Sequence, residues 1–136
     1  MDAEQLRGLR PLDGVSEEGL ARVAACAAEV TREAGQVLAL PDDPGSGMYV
    51  IREGTVAVIR DGQRVATMGP GQFFGEISVL DGGPRTADVR ADQDTVCLTL
   101  ISWEVKPLLM EEPNLTYKML LEMVKRLRSQ SPRDQD

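Results

Sequence analysis

The chain alternates between two textures, one with helical spacing at each end and one with strand spacing between them. Ser16 is placed to cap a helix, with Glu17 and Glu18 next to the positive end of its dipole. Leu20, Val23, Ala24 and Ala27 then recur at 3.6-residue spacing and predict one buried helical face. Gly19 weakens this helix without abolishing it. A shorter helix is predicted over Asp2 to Leu9, stopped at Arg10-Pro11 because proline disfavours helix in the residue before it.

From Val30 to Ile101 short apolar or alternating runs are separated by turn residues, the pattern of an all-β sandwich or barrel. The runs Gln36–Leu40, Gly47–Arg52, Thr55–Arg60, Gln63–Met68, Thr86–Arg90 and Thr95–Ile101 predict strands. Asp61-Gly62 between two of them is a strong hairpin signal. Pro41 to Gly45 and Gly69-Pro70-Gly71 mark further turns. Helical texture returns at Ser102, which can cap a helix running to about Met110. Pro113 suits the first turn of a second helix, whose apolar stripe is Tyr117, Leu120, Val124 and Leu127. Lys125, Arg126 and Arg128 gather at its negative end, and the polar stretch from Ser129 to Asp136 is expected to fray. Tyr49, Trp103, Met119 and Met123 are expected to be packing residues.

Composition narrows the function. At 136 residues the chain holds one domain, and with 4% aromatics its core must be mainly aliphatic. A net charge of −7 disfavours nucleic acid as a partner, and no segment approaches the length of a membrane span. Cys26 and Cys97 lack metal-type spacing and read as reduced core thiols of a cytoplasmic protein. The chain has no histidine, which removes Ser-His-Asp and Cys-His catalysis and nearly every zinc or iron site. No enzyme activity, metal or cofactor is expected.

One segment, Phe73 to Val89, breaks the β texture and concentrates chemistry. Gly75 permits close backbone approach to a ligand, and Glu76 to Leu80 can form one helical turn with N–H groups facing an anion. Arg85, beyond a glycine-rich loop, can grip a phosphate through two parallel hydrogen bonds. Glu76 would repel that anion but suits a neutral hydroxyl donor such as a ribose 2′-OH. Together they point to a small ribose phosphate, although taken alone Glu76 and Arg85 also fit a surface ion pair.

The run Phe74-Gly75-Glu76-Ile77-Ser78 through Pro84-Arg85-Thr86-Ala87-Asp88-Val89 resembles the phosphate-binding cassette of the cyclic nucleotide-binding domain family. That family includes protein kinase A regulatory subunits, the bacterial catabolite activator and cyclic-nucleotide-gated channels. Gly47 to Gly54 resembles the family's tyrosine strand and following glycine, and Val65 to Phe73 the strand and turn entering the cassette. Arg85-Thr86-Ala87 followed by Val89-Arg90-Ala91-Asp92 is most similar to the channel members. Asp42 and Ser46 depart from the family pattern, in a turn remote from the cassette.

The resemblance implies a mainly β fold with flanking helices: a jelly-roll-like eight-stranded barrel, N-terminal helices and two C-terminal helices. The expected organisation is N-terminal helices over 1–29, barrel over 30–101 with the cassette at 73–89, C-terminal helices over 102–129 and a disordered tail over 130–136. It implies that Glu76 accepts the ribose 2′-OH and that Arg85 pairs with the cyclic phosphate. The backbone around Gly75, Ile77 and Ser78, the Thr86 hydroxyl and Ala87 would assist. Val58, Ala66 and Met68 would line the purine, and Arg126 would cap it from the last helix. The implied ligand is cAMP, because Gln130 stands where cGMP-preferring channels carry an acid, while Thr86 favours tolerance of cGMP. The implied function is a sensor whose C-terminal helix moves on binding. The effector, protein or channel pore domain, is not named. A ligand-free interaction barrel and the gating domain of a bacterial potassium channel are the alternatives. A catabolite-activator-type regulator needs some 40 further residues for its helix-turn-helix, and only eleven follow Lys125.

Overall fold

The computed structural model describes residues 6, 8–9, 12–39, 47–75 and 87–130. Helix α1 (Glu17–Cys26) begins as expected, with the Ser16 hydroxyl accepting a hydrogen bond from the Gly19 N–H at 3.0 Å. Its buried face is Leu20, Val23 and Ala24. Eight strands follow: β1 (Ala27–Arg32), β2 (Val37–Ala39), β3 (Gly47–Glu53), β4 (Val56–Arg60), β5 (Gln63–Met68), β6 (Phe73–Phe74), β7 (Asp88–Ala91) and β8 (Thr95–Ile101). The last described elements are helices α2 (Ser102–Glu111) and α3 (Pro113–Gln130), so Ser129 and Gln130 continue the helix that was expected to fray there.

The strands form two antiparallel four-stranded sheets, β1-β8-β3-β6 and β2-β7-β4-β5. Cross-strand alternation gives the first sheet two buried faces. Ile51, Phe74 and Cys97 turn toward Leu38, Val56, Val89 and Ala91 of the second sheet and fill the barrel interior. Met48, Val50, Phe73, Leu98 and Leu100 turn the other way, where α1, α2 and α3 cover them with Leu20, Val23, Val105, Leu108, Leu115 and Met119. This is the eight-stranded, helix-flanked barrel that the sequence led us to expect. The hairpin between β4 and β5 turns on Asp61 (φ 53°) and Gly62 (φ 78°), the left-handed pair a two-residue hairpin requires.

Four local expectations change. Ala27 opens β1 instead of closing a helical face, because six residues from Ala27 to Arg32 pair with β8. A ladder to a central strand outweighs the local helical spacing there. The two-residue strand β6 lies inside the segment that seemed to interrupt the barrel, paired with Tyr49 and Val50 of β3. Trp103 is 74% exposed and not a packing residue. The stripe Tyr117, Leu120, Val124 and Leu127 faces outward, while Leu115 and Met119 on the opposite side of α3 are buried. The predicted helix over Asp2 to Leu9 and the turn over Pro41 to Gly45 lie mostly or wholly outside the described residues, although Leu6 and Leu9 are buried.

Gly54 closes the β3–β4 turn with φ 88°, and a Cβ there would sit 2.5 Å from the Asp94 carbonyl oxygen. Gly54→Ala therefore meets both a left-handed backbone and a backbone atom that cannot move aside. It should lower stability by about 1–3 kcal/mol in urea denaturation. Burial pushes the Cys97 thiol up to about 11, while Cys26 is only half-buried. Cys26 should react first with iodoacetamide at pH 8, and Cys97 only when the protein unfolds. Because the folded Cys97 keeps its proton longer than the unfolded one, its contribution should be full below about pH 8.5. It should then be lost as pH rises toward about 11, where the buried thiol ionises.

Candidate ligand site and its flanking helix

One face of β4 and β5 is turned to the barrel interior. Val56 pairs with Met68 and Val58 with Ala66 across the hairpin, so these four side chains share a face. Val58 also pairs with Val89 of β7, and Val56 and Val89 belong to the interior core. The three residues expected to line a purine therefore do come together on the interior wall. Val58 is buried, whereas Ala66 and Met68 are only half-buried and keep surface to offer. The register slips between Val58 and Ile59, leaving Val65 as an extra residue of β5, half exposed on the outer face.

The wall is stapled from outside. Arg64 on β5 forks onto Asp92, just beyond β7, at 2.7 and 2.9 Å, and bonds Thr67 at 3.0 Å. The hydrogen bond from Arg64 holds the Asp92 carboxyl below its usual range. The pair bridges the two strands flanking β4, so it ties together the sheet that carries Val58 and Ala66.

The described residues that flank the cassette belong to different sheets. Its entry follows β6 of one sheet and its exit is β7 of the other. Gly75 leaves β6 with φ 86°, a left-handed conformation that glycine adopts without strain. Ala87 at the exit is buried. Glu76, Ile77, Ser78, Arg85 and Thr86 lie outside the described residues.

Arg126 sits at the cassette entrance. Its guanidinium lies 4.4 Å above the centroid of the Phe73 ring and donates a hydrogen bond to the Phe73 carbonyl oxygen. Nε is 3.8 Å from Glu122, one turn earlier on α3, and Glu122 also accepts a bond from Gln72 at 3.5 Å. Gln72 in turn closes the preceding turn through the Gly69 N–H at 2.8 Å. This latch between α3 and the segment entering the cassette was not foreseen. Only the cationic residue at the right helical position hinted at it. Tyr49 stacks on Phe74 with ring centroids 4.9 Å apart, a packing role as expected.

Among the described residues no group of His, Cys, Asp or Glu is arranged to hold a metal ion, and no helix is long and apolar enough to cross a membrane. Among the described residues the arrangement is an interior wall on β4 and β5, a left-handed glycine at the end of β6 and a helix latched beside that point.

The chain belongs to the cyclic nucleotide-binding domain family, whose model matches residues 29–112. The family is one of regulatory domains. The chain is 31% identical over 107 residues to a cAMP-dependent protein kinase regulatory subunit of Yarrowia lipolytica, covering 74% of this chain and 28% of that one. It is 32% identical over 99 residues to the cyclic AMP receptor protein of Thermus thermophilus, covering 69% of this chain and 46% of that one. The crystal structure of Thermus thermophilus catabolite activator protein superposes with a TM-score of 0.77 at 27% identity, covering 88% of this chain and 59% of that chain. The chain thus spans less than half the length of the two relatives it matches by sequence.

If the Phe73 latch holds α3 down, Arg126→Ala should loosen only that end. Amide exchange over residues 120–130 should accelerate by about tenfold while the barrel strands keep their protection. Uniform acceleration across the whole chain would show instead that the contact supports global stability.

Proposed function

We propose that the chain is a cAMP sensor, tolerant of cGMP, that performs no chemistry on its ligand and reports binding through α3. The observation that carries the reading is the shared interior face of Val58, Ala66 and Met68 in a chain that matches the family model. That two relatives are named for cAMP supports the choice of nucleotide. In this reading Glu76 accepts the ribose 2′-OH and Arg85 pairs with the cyclic phosphate. Gly75, Ile77 and Ser78 offer backbone N–H groups, the Thr86 hydroxyl adds a bond, and Ala87 keeps the exit strand close.

The response is an exchange of partners by Arg126. In the structure the guanidinium rests on Phe73, two residues before Gly75. A nucleotide seated in the cassette offers it the purine face instead, and α3 moves with it. The ligand can shift this equilibrium only by its difference in affinity for the two helix positions. A difference of about 2–3 kcal/mol changes the ratio roughly 30- to 150-fold, enough for a switch. Arg85 supplies affinity and Arg126 supplies coupling. An effector in contact with α3 reads the movement.

Titration calorimetry with cAMP and cGMP in parallel tests the site. Arg85→Ala should weaken cAMP binding by about 100-fold or more, because it leaves the phosphate without its charged partner. Arg126→Ala should keep affinity within about tenfold yet abolish the ligand-induced change in α3 exchange. Unchanged binding by Arg85→Ala would falsify the site. Failure of both nucleotides to bind the wild type below millimolar concentration would favour a ligand-free interaction barrel.

A further inference from the structure

Gln72, the residue before β6, reaches across to α3 from a platform that cannot shift. Its backbone is pinned on both sides: the N–H donates to the Gly69 carbonyl at 3.1 Å, and the carbonyl accepts from the Ile51 N–H of β3 at 2.9 Å. In its side chain, Oε1 accepts from the Gly69 N–H at 2.8 Å. A backbone N–H can only donate, so the amide oxygen must face Gly69. That leaves Nε2 facing the Glu122 carboxylate, 3.5 Å away on α3. Glu122 is in turn 3.8 Å from Nε of Arg126, whose guanidinium lies over the Phe73 ring. The Glu122 and Arg126 side chains are 27% and 19% exposed, so solvent screens their charges less than those of a surface pair.

We propose that the Gln72–Glu122 contact is autoinhibitory: it holds α3 in the position seen in the structure and thereby lowers the affinity of the nucleotide site. The proposal rests on the reading that Arg126 leaves Phe73 for the purine. Glu122 and Arg126 are one turn apart on α3 and travel together, so their ion pair is the same in either helix position. Gln72 stays with β3 and β6, so its bond to Glu122 exists only while the helix is latched. A contact made in one state alone shifts the balance toward that state. The apparent affinity of a site competent only in the other state falls by the fraction that is competent. Gln72 is therefore a positioning residue, acting on the ligand through α3.

Gln72→Glu tests this, because it keeps the oxygen that caps Gly69 and sets a like charge against Glu122. Without nucleotide, amide exchange over residues 120–130 should accelerate by about tenfold. In calorimetry the same variant should bind cAMP about three- to tenfold more tightly than the wild type. The double variant Gln72→Glu/Glu122→Gln exchanges donor and acceptor, and should return both readings to within about twofold of wild type. Gln72→Met, which removes the donor without adding charge, should move both readings in the same direction as Gln72→Glu. Unchanged exchange in both single variants overturns the proposal. So does faster exchange with weaker or unchanged binding in both, the result a purely structural contact produces, or a double variant no closer to wild type than Gln72→Glu. Those failures leave wild-type cAMP binding intact. A wild type that binds no nucleotide sinks the reading of the site itself, and the proposal with it.

Discussion

Two adjacent phenylalanines on a two-residue strand hold the molecule's layers together. β6 is extended, so Phe73 and Phe74 must point to opposite faces of their sheet. Phe73 enters the core beneath the helices, and Phe74 enters the barrel and stacks on Tyr49. Each is nearly fully buried, and burial of an aromatic ring contributes more than any aliphatic side chain nearby could. The backbone between them is therefore pinned from both sides where the chain enters the cassette. A ligand-binding loop needs such a fixed origin, because a loop free at both ends would lose in ordering what it gained in contacts.

The same pinning gives Arg126 a fixed partner at the cassette entrance. Its partner is the Phe73 carbonyl, a backbone atom that cannot swing away as a side chain would. The guanidinium also lies over the Phe73 ring, so one residue gives α3 both a hydrogen bond and a cation–π contact. Neither interaction is strong, and a helix held by weak contacts at one end is suited to being moved. The apolar anchors Leu115 and Met119 lie toward the helix start, so the two ends of α3 are held by different kinds of contact.

On the barrel side, the strands flanking β4 are tied together by Arg64 and Asp92. Arg64 and Asp92 form an exposed pair, screened by solvent and of small value as a source of stability. Its geometric effect is larger than its energetic one, since it fixes the spacing of the strands on either side of Val58. The half-buried state of Ala66 and Met68 follows from their position in an edge strand, where a neighbour is missing on one side.

The barrel was readable because its turns carry their own chemistry. Asp61-Gly62 and Gly69-Pro70-Gly71 allow few conformations, and alternation between them leaves little choice about which face is buried. The cassette announces itself only in residue types, an arginine and a glutamate across a glycine-rich loop, and both lie outside the described residues. Helix boundaries and helix faces were less readable than the barrel. Ala27 carries helical spacing but joins a strand, because β8 offers it a ladder that the local sequence cannot announce. The outward turn of Tyr117, Leu120, Val124 and Leu127 was hidden for a related reason. Periodicity reveals that a helix has an apolar side but not what waits opposite, and α3 has two such sides. Which one met the barrel, and that Arg126 came to rest on Phe73 fifty-three residues away, was decided by packing between distant segments. Local sequence encodes the elements and the chemical groups they carry, while the pairing of surfaces depends on the shape of everything already folded.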